Sequence, residues 1–352
     1  MSLEKLGWCS DWDELLSPPL IPARITERHK VSYGVTTAAG TLHCRLSGKF
    51  QFGLSSKAEF PAIGDWVLIT PPFREESGKL GAIIETLLPR QSRLSRTSTR
   101  GEEQVLAANV NFTFIVTSPN EDFSTNRMER YLLLATEGNT EPVIVLAKLD
   151  LDPEHSALNT LKSHFPDRDV IGTSVIDGIG VDDIRKKLTL GTTGVFVGSS
   201  GVGKSSLVNY LLGEETQKVH TVRDQDSKGR HTTTGGRLFP LRDGGMIIDT
   251  PGLREVNVFG SDPSVEETFS RLAELAENCR FSNCRHLGEK GCAVRPAIES
   301  GELTEAELEN YHKLKKEAEF SQRKMDKRLA SNTKKRWKTI TKDYKRMKKQ
   351  DD

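Results

Sequence analysis

Through the first hundred positions the apolar residues come in short runs separated by turn-forming residues. Farther along they gather into blocks that read as buried strands. Runs at Ala23 to Val35, Thr41 to Leu46, Trp66-Val67-Leu68-Ile69 and Ala82-Ile83-Ile84, with a tight turn at Gly64-Asp65, predict a small barrel of five strands. Their spacing fits an OB-fold and an SH3-like barrel equally well. The runs Pro142-Val143-Ile144-Val145-Leu146, Asp169-Val170-Ile171, Thr193-Gly194-Val195-Phe196-Val197 and Gly245-Met246-Ile247-Ile248-Asp249 predict strands of an α/β layer. A helix is predicted over Ser206 to Leu212, closed by Gly213. Glu305 to Phe320 are mostly helix formers of mixed charge, after which the pattern turns basic.

A chain of 352 residues is long enough for two or three domains with their own cores. The net charge of +1 conceals an asymmetry, because residues 321–352 hold thirteen Lys/Arg against four Asp/Glu. A basic tail on an acidic body points to a polyanionic partner. Trp337 and Tyr344 interleave with Lys334, Lys335, Arg336, Lys338, Lys342, Lys345 and Arg346, a mixture suited to RNA phosphates and exposed bases. Arg90, Arg93, Arg96 and Arg100 recur every three or four residues and read either as RNA contacts or as a solvated linker. No apolar run reaches the length of a membrane span and no leader pattern opens the chain, so a cytoplasmic protein without membrane contact is expected. Five cysteines, three of them crowded together, do not form a secreted disulfide framework.

The chemistry begins at Gly198-Ser199-Ser200-Gly201-Val202-Gly203-Lys204-Ser205, a complete phosphate-binding loop between a predicted strand and a predicted helix that starts at Ser206. Glycines let backbone N–H groups turn inward, the lysine reaches the β- and γ-phosphates, and the Ser205 hydroxyl ligates Mg²⁺. Asp249 ends a strand where a carboxylate holds Mg²⁺ through water, and Gly252 offers a backbone N–H to the γ-phosphate. Between them, Gly229-Arg230-His231-Thr232-Thr233-Thr234 lies where a first switch loop supplies a threonine, Thr233, to the metal. Base recognition is expected at Ala147-Lys148-Leu149-Asp150, whose aspartate pairs with guanine N1 and N2, and at Ser174-Val175. Both precede the phosphate loop, so the motifs run in a circularly permuted order. Surface termini and loop tips make such reconnection tolerable.

Farther on, Cys279, Cys284, His286 and Cys292 form C-x₄-C-x-H-x₅-C. Three thiolates and an imidazole close a tetrahedral zinc shell with no open position, a structural site. Arg280, Arg285, Lys290 and Arg295 surround it and are available to phosphate, while Cys9 and Cys44 read as plain thiols.

With Gly229 to Thr234, the loop through Ser206, and Asp249-Thr250-Pro251-Gly252-Leu253-Arg254-Glu255, the chain resembles the circularly permuted RsgA (YjeQ) GTPases of small-subunit ribosome maturation over nearly its whole length. The resemblance implies an N-terminal OB-fold over 1–100, a permuted P-loop GTPase over 101–258, a zinc-binding helical domain over 259–320 and a basic tail over 321–352. It implies a monomer that binds the small ribosomal subunit and its 16S rRNA and hydrolyses GTP to GDP. One position departs from the family: Ala147 stands where asparagine is usual, removing an amide worth about 1–2 kcal/mol. Leu253 stands where signalling GTPases carry a water-orienting glutamine, so slow intrinsic hydrolysis is expected. His231 is the candidate for positioning water, with Thr233 and Lys204 completing the catalytic set. A subunit that orders the switch would accelerate turnover roughly 10³-fold or more. Two rival readings are a P-loop ATPase or kinase and a zinc-containing RNA-binding protein with an inactive nucleotide site.

Overall fold

Strand β3 (Gly40–Leu46) alternates, with Leu42 and Cys44 buried and Thr41, His43 and Arg45 exposed, so one face seeks a core. Its partners are β1 (Ile21–Arg28), β2 (Tyr33–Thr37), β4 (Trp66–Ile69) and β6 (Leu80–Leu87), with a two-residue β5 (Phe73–Arg74) on the flank of β6. This computed structural model describes residues 2–29, 31–75, 78, 80–97, 102–120, 123–213, 236–242, 244–249, 262–281 and 284–319. They form two compact units, one from residues up to 249 and one from 262 onward.

The barrel closes in the order β1-β2-β3-β6-β4-β1, with β3 and β6 parallel and the other neighbours antiparallel. That closure, with helix α1 (Gly48–Gly53) between β3 and β4, is an OB-fold and settles what strand spacing left open. The predicted run from Ala23 to Val35 is two strands with a turn between them. A register shift between Ile25 and Glu27 lets β1 change neighbours. Its first half pairs with β4, and beyond the shift Glu27 pairs with Arg237 of β13 (Arg237–Pro240). The barrel and the α/β layer are thereby hydrogen-bonded into one sheet.

A two-stranded ribbon, β7 (Arg93–Thr97) with β8 (Glu103–Ala108), leads to the α/β layer. There β9 (Phe112–Thr117), β10 (Glu141–Leu146), β11 (Asp169–Gly172), β12 (Thr193–Val197) and β14 (Met246–Asp249) lie parallel in the order β11-β10-β9-β12-β14, with β13 antiparallel between β14 and β1. These strands are nearly continuous apolar runs because both faces are covered. Helices α2 (Thr125–Glu137) and α3 (Ser156–His164) supply Met128, Leu132 and Leu161 to one face. Helices α4 (Val181–Lys187) and α5 (Lys204–Leu212) supply Ile184, Leu207 and Leu211 to the other. The phosphate-loop strand β12 is central although it is fourth in chain order within this layer, which is the permutation in structural form.

Arg24 of β1 is fully buried and joins the two halves of this unit. It donates to Gly64 O at 3.2 Å, Asn109 O at 3.0 Å and Thr193 Oγ1 at 2.9 Å, and also to Leu6 O. Burial pulls its pKa down to about 9, against the charge of nearby Asp65. Arg90 corrects an expectation. It is neither an RNA contact nor a solvated linker residue, because it grips buried Asp65 through two bonds of 2.8 and 2.7 Å and donates to the carbonyls of Ala58 and Phe60. Arg93 pairs with Glu103 and Arg96 with Gln104 across the ribbon.

In the second unit, α6 (Asp262–Thr268), α7 (Ser270–Glu277), α8 (Val294–Glu299) and a helix α9 over 305–319 pack around Leu272, Val294, Leu308 and Leu314. No helix among the described residues is long and apolar enough to cross a membrane.

Candidate nucleotide site and metal centre

Central strand β12 ends at Val197, and the loop that follows is shaped by glycine. Gly198 sits at φ +141°, and a Cβ there would lie 2.2 Å from Val116 O of β9. Gly203, at φ +110°, opens α5. Lys204, the first residue of that helix, is buried and donates from Nζ to Gly198 O at 2.7 Å and to Ser199 O. Its ammonium is thus held against the loop's first two carbonyls. Ser205 and Ser206 follow on the exposed side of the first turn.

The base-side loop leaves β10. Ala147 is buried, its N–H donates to Thr117 O at 2.8 Å, and its Cβ would meet a Cβ built on Gly203 at 3.3 Å. Lys148 takes the left-handed conformation at φ +57° and donates from Nζ to Gly201 O at 2.8 Å, joining base-side and phosphate loops. Leu149 is buried as an anchor, which leaves Asp150 exposed. Ser174 Oγ lies 3.0 Å from Asp150 Oδ1 and 2.8 Å from Asp177 Oδ2, so its one proton is shared between the two carboxylates, with the shorter contact on Asp177. Two backbone bonds of 3.0 Å between Ser174 and Ile179 close the loop that carries Val175. Asp249 ends β14 beside β12, half-buried.

The fold therefore gathers Ala147 to Asp150, Ser174, Val175, Gly198 to Ser206 and Asp249 at the C-terminal ends of adjacent parallel strands, where open α/β sheets bind ligands. His231, Thr233 and Gly252 lie outside the described residues, as do Leu253 and the basic tail. Sequence patterns missed two residues here. Arg127, in the first turn of α2, donates from Nη1 to Ser199 Oγ at 2.7 Å. The apolar spacing of α2 marks only its buried face and says nothing of this exposed one. Ser118 follows β9 on the face of Phe114 and Val116, fully buried, its hydroxyl without a hydrogen-bond partner among the described residues.

The second unit holds the Cys279, Cys284, His286 and Cys292 group, whose ligand atoms all lie within 4.8 Å of one another. His286 Nδ1 is 3.6 Å from Cys279 Sγ and 3.5 Å from Cys292 Sγ. Zinc bonded tetrahedrally at the usual lengths places nitrogen and sulfur about 3.5 Å apart, so the donor set fits the ion. Ala293 N donates to Cys279 Sγ at 3.3 Å. Glu289 accepts from the N–H groups of Arg285 and Leu287, folding the loop between the ligands. Arg295 is engaged structurally, donating to His286 O at 2.6 Å and to Glu305.

The family model for the RsgA GTPase matches residues 87–259. A relative named small ribosomal subunit biogenesis GTPase RsgA 2, from Lactiplantibacillus plantarum, is 42% identical over 302 residues, covering 85% of this chain and 84% of that protein. The crystal structure of YjeQ from Thermotoga maritima superposes with a TM-score of 0.62 at 28% identity, over 85% of this chain and 98% of that one. YloQ, described as a circularly permuted GTPase, gives 0.61 at 25% identity, over 86% of this chain and 96% of that one. With this identity over most of its length, and with the permuted sheet that carries its phosphate loop, the chain belongs to the RsgA GTPase family.

Proposed function

We propose that the protein is a GTPase that assists maturation of the small ribosomal subunit, binding 16S rRNA as a cytoplasmic monomer and hydrolysing GTP to GDP and phosphate. The observation that carries the guanine-nucleotide reading is the bond from Lys148 Nζ to Gly201 O, which sets a base-reading aspartate and a phosphate loop at one fixed separation. Asp150, steadied by Ser174, reads the guanine edge. Lys204 trades the carbonyls of Gly198 and Ser199 for phosphate oxygens when nucleotide arrives. Ser205, Thr233 and Asp249 are hard oxygen donors suited to Mg²⁺, which supplies charge neutralisation at the phosphates when bound. Gly252 follows the γ-phosphate, and His231 positions the attacking water in place of the glutamine that Leu253 replaces. Zinc, held by Cys279, Cys284, His286 and Cys292, is structural.

In this reading residues 1–100 form the RNA-binding barrel, 101–258 the GTPase, 259–320 the zinc–helical domain and 321–352 a basic tail that adds a salt-dependent grip on RNA. The test is GTP hydrolysis by the purified protein with and without small ribosomal subunits, with ATP as control. Stimulation confined to GTP supports the proposal. RNA binding with no hydrolysis of either nucleotide would replace it with a nucleotide-inert RNA-binding protein, and equal use of ATP would remove the guanine assignment.

A further inference from the structure

The phosphate loop has more positive charge beside it than its own motif supplies. Arg127 stands in the first turn of α2, a helix packed against β9 and β10. Its Nη1 donates to the side-chain oxygen of Ser199 at 2.7 Å, while Lys204 donates to the main-chain oxygen of the same residue. Two cations thus converge on one residue at the start of the loop. Lys204 is the group that serves the β- and γ-phosphates, so a guanidinium sharing its neighbour is placed for the γ end of the nucleotide. Arginine presents a planar, charged fork that suits phosphoryl oxygens. Leucine at position 253 leaves the reaction without the usual glutamine, and GTPases stabilise the transferring phosphoryl group with an arginine supplied in cis or in trans.

We infer that Arg127 is a catalytic residue supplied in cis. On GTP binding its guanidinium exchanges the Ser199 hydroxyl for γ-phosphoryl oxygens and neutralises charge there in the transition state. Water oxygen bonds to the γ-phosphorus, and the bond to the β–γ bridging oxygen breaks. GDP leaves with the electron pair, and the water proton passes to the phosphate. Arg127 itself neither gives nor takes a proton. The inference rests on the GTPase reading above and deepens it.

The experiment compares Arg127→Ala, Arg127→Lys and Ser199→Ala with the parent chain. Single-turnover GTP hydrolysis is read with small subunits present, and fluorescent GDP binding is read with and without aluminium fluoride. Arg127→Ala is expected to slow hydrolysis by about 10²-fold or more, leave GDP affinity within about twofold, and abolish the tightening by aluminium fluoride. Arg127→Lys recovers part of the rate. Hydrolysis by Arg127→Ala at the parent rate overturns the inference. So does an equal loss of GDP affinity in Arg127→Ala and Ser199→Ala, which would make the pair a brace for the loop. A parent chain that hydrolyses no GTP overturns the GTPase reading and this inference together, whereas an effect missing only in the variants overturns this inference alone.

Discussion

On the proposed reading, Asp150 carries the base preference almost alone, because Ala147 offers no amide and the Ser174 hydroxyl only contacts the carboxylate. Two charge-assisted bonds to guanine are at stake, so Asp150→Asn should weaken GTP binding about 10²-fold. The same change should improve xanthosine triphosphate binding, since the new amide donates where xanthine accepts; nucleotide titrations of both proteins check this. Cys44 gives a second prediction. Burial pushes its thiol up to about 12, so at pH 8 its reactive thiolate is roughly 10³-fold scarcer than at an ordinary pKa of 9.0. Iodoacetamide should modify half-buried Cys9 first and reach Cys44 only in urea, as mass spectrometry would show. The raised value also favours the native state below pH 9.0, an advantage lost as pH climbs through about 12. Residues with a motif were legible in the sequence because the spacing itself encodes the chemistry. Arg24, Arg90 and Arg127 were not. Their partners lie 40, 25 and 72 residues away in Gly64, Asp65 and Ser199, and no local period records such distances.

Among the elements, β10, β11, β12 and β14 were legible nearly to the residue, since a strand buried on both faces is written as an apolar run, whereas β9 and β13 of the same layer were not read from the sequence. The barrel was legible only as a set of strands. Its class depends on β1 meeting β4 and on β3 meeting β6 in parallel, both non-local pairings. The phosphate loop rests on one such pairing, between β12 and β9, which brings Gly198 against Val116 O. Gly198→Ala would force a side chain into 2.2 Å and a left-handed backbone, and should abolish GDP binding measured by calorimetry. Where β1 meets the GTPase strands, Arg24→Met strands several buried carbonyls at once. A loss of about 3–5 kcal/mol is expected in urea unfolding of the barrel and GTPase layer.

At the scale of the whole molecule, two compact units make one further prediction. Metal-binding energy in a small zinc site is largely folding energy. Chelation, or Cys279→Ser, should therefore release one zinc per chain and expose residues 262–319 to protease, while the strands of the barrel and the α/β layer remain resistant. The order of strands along the chain also bears on how the protein is made. A ribosome translating it releases β9, β10 and β11 before β12 exists. Until residue 197 has emerged, the flank of β9 that β12 will cover presents unpaired N–H and C=O groups along the apolar segment Phe112–Thr117. A conventional order would deliver the central strand first. Here β9, β10 and β11 wait as an open-edged half-sheet, and the second half of β1 waits longer still for β13. The permutation makes the centre of the finished sheet its most aggregation-prone surface during synthesis.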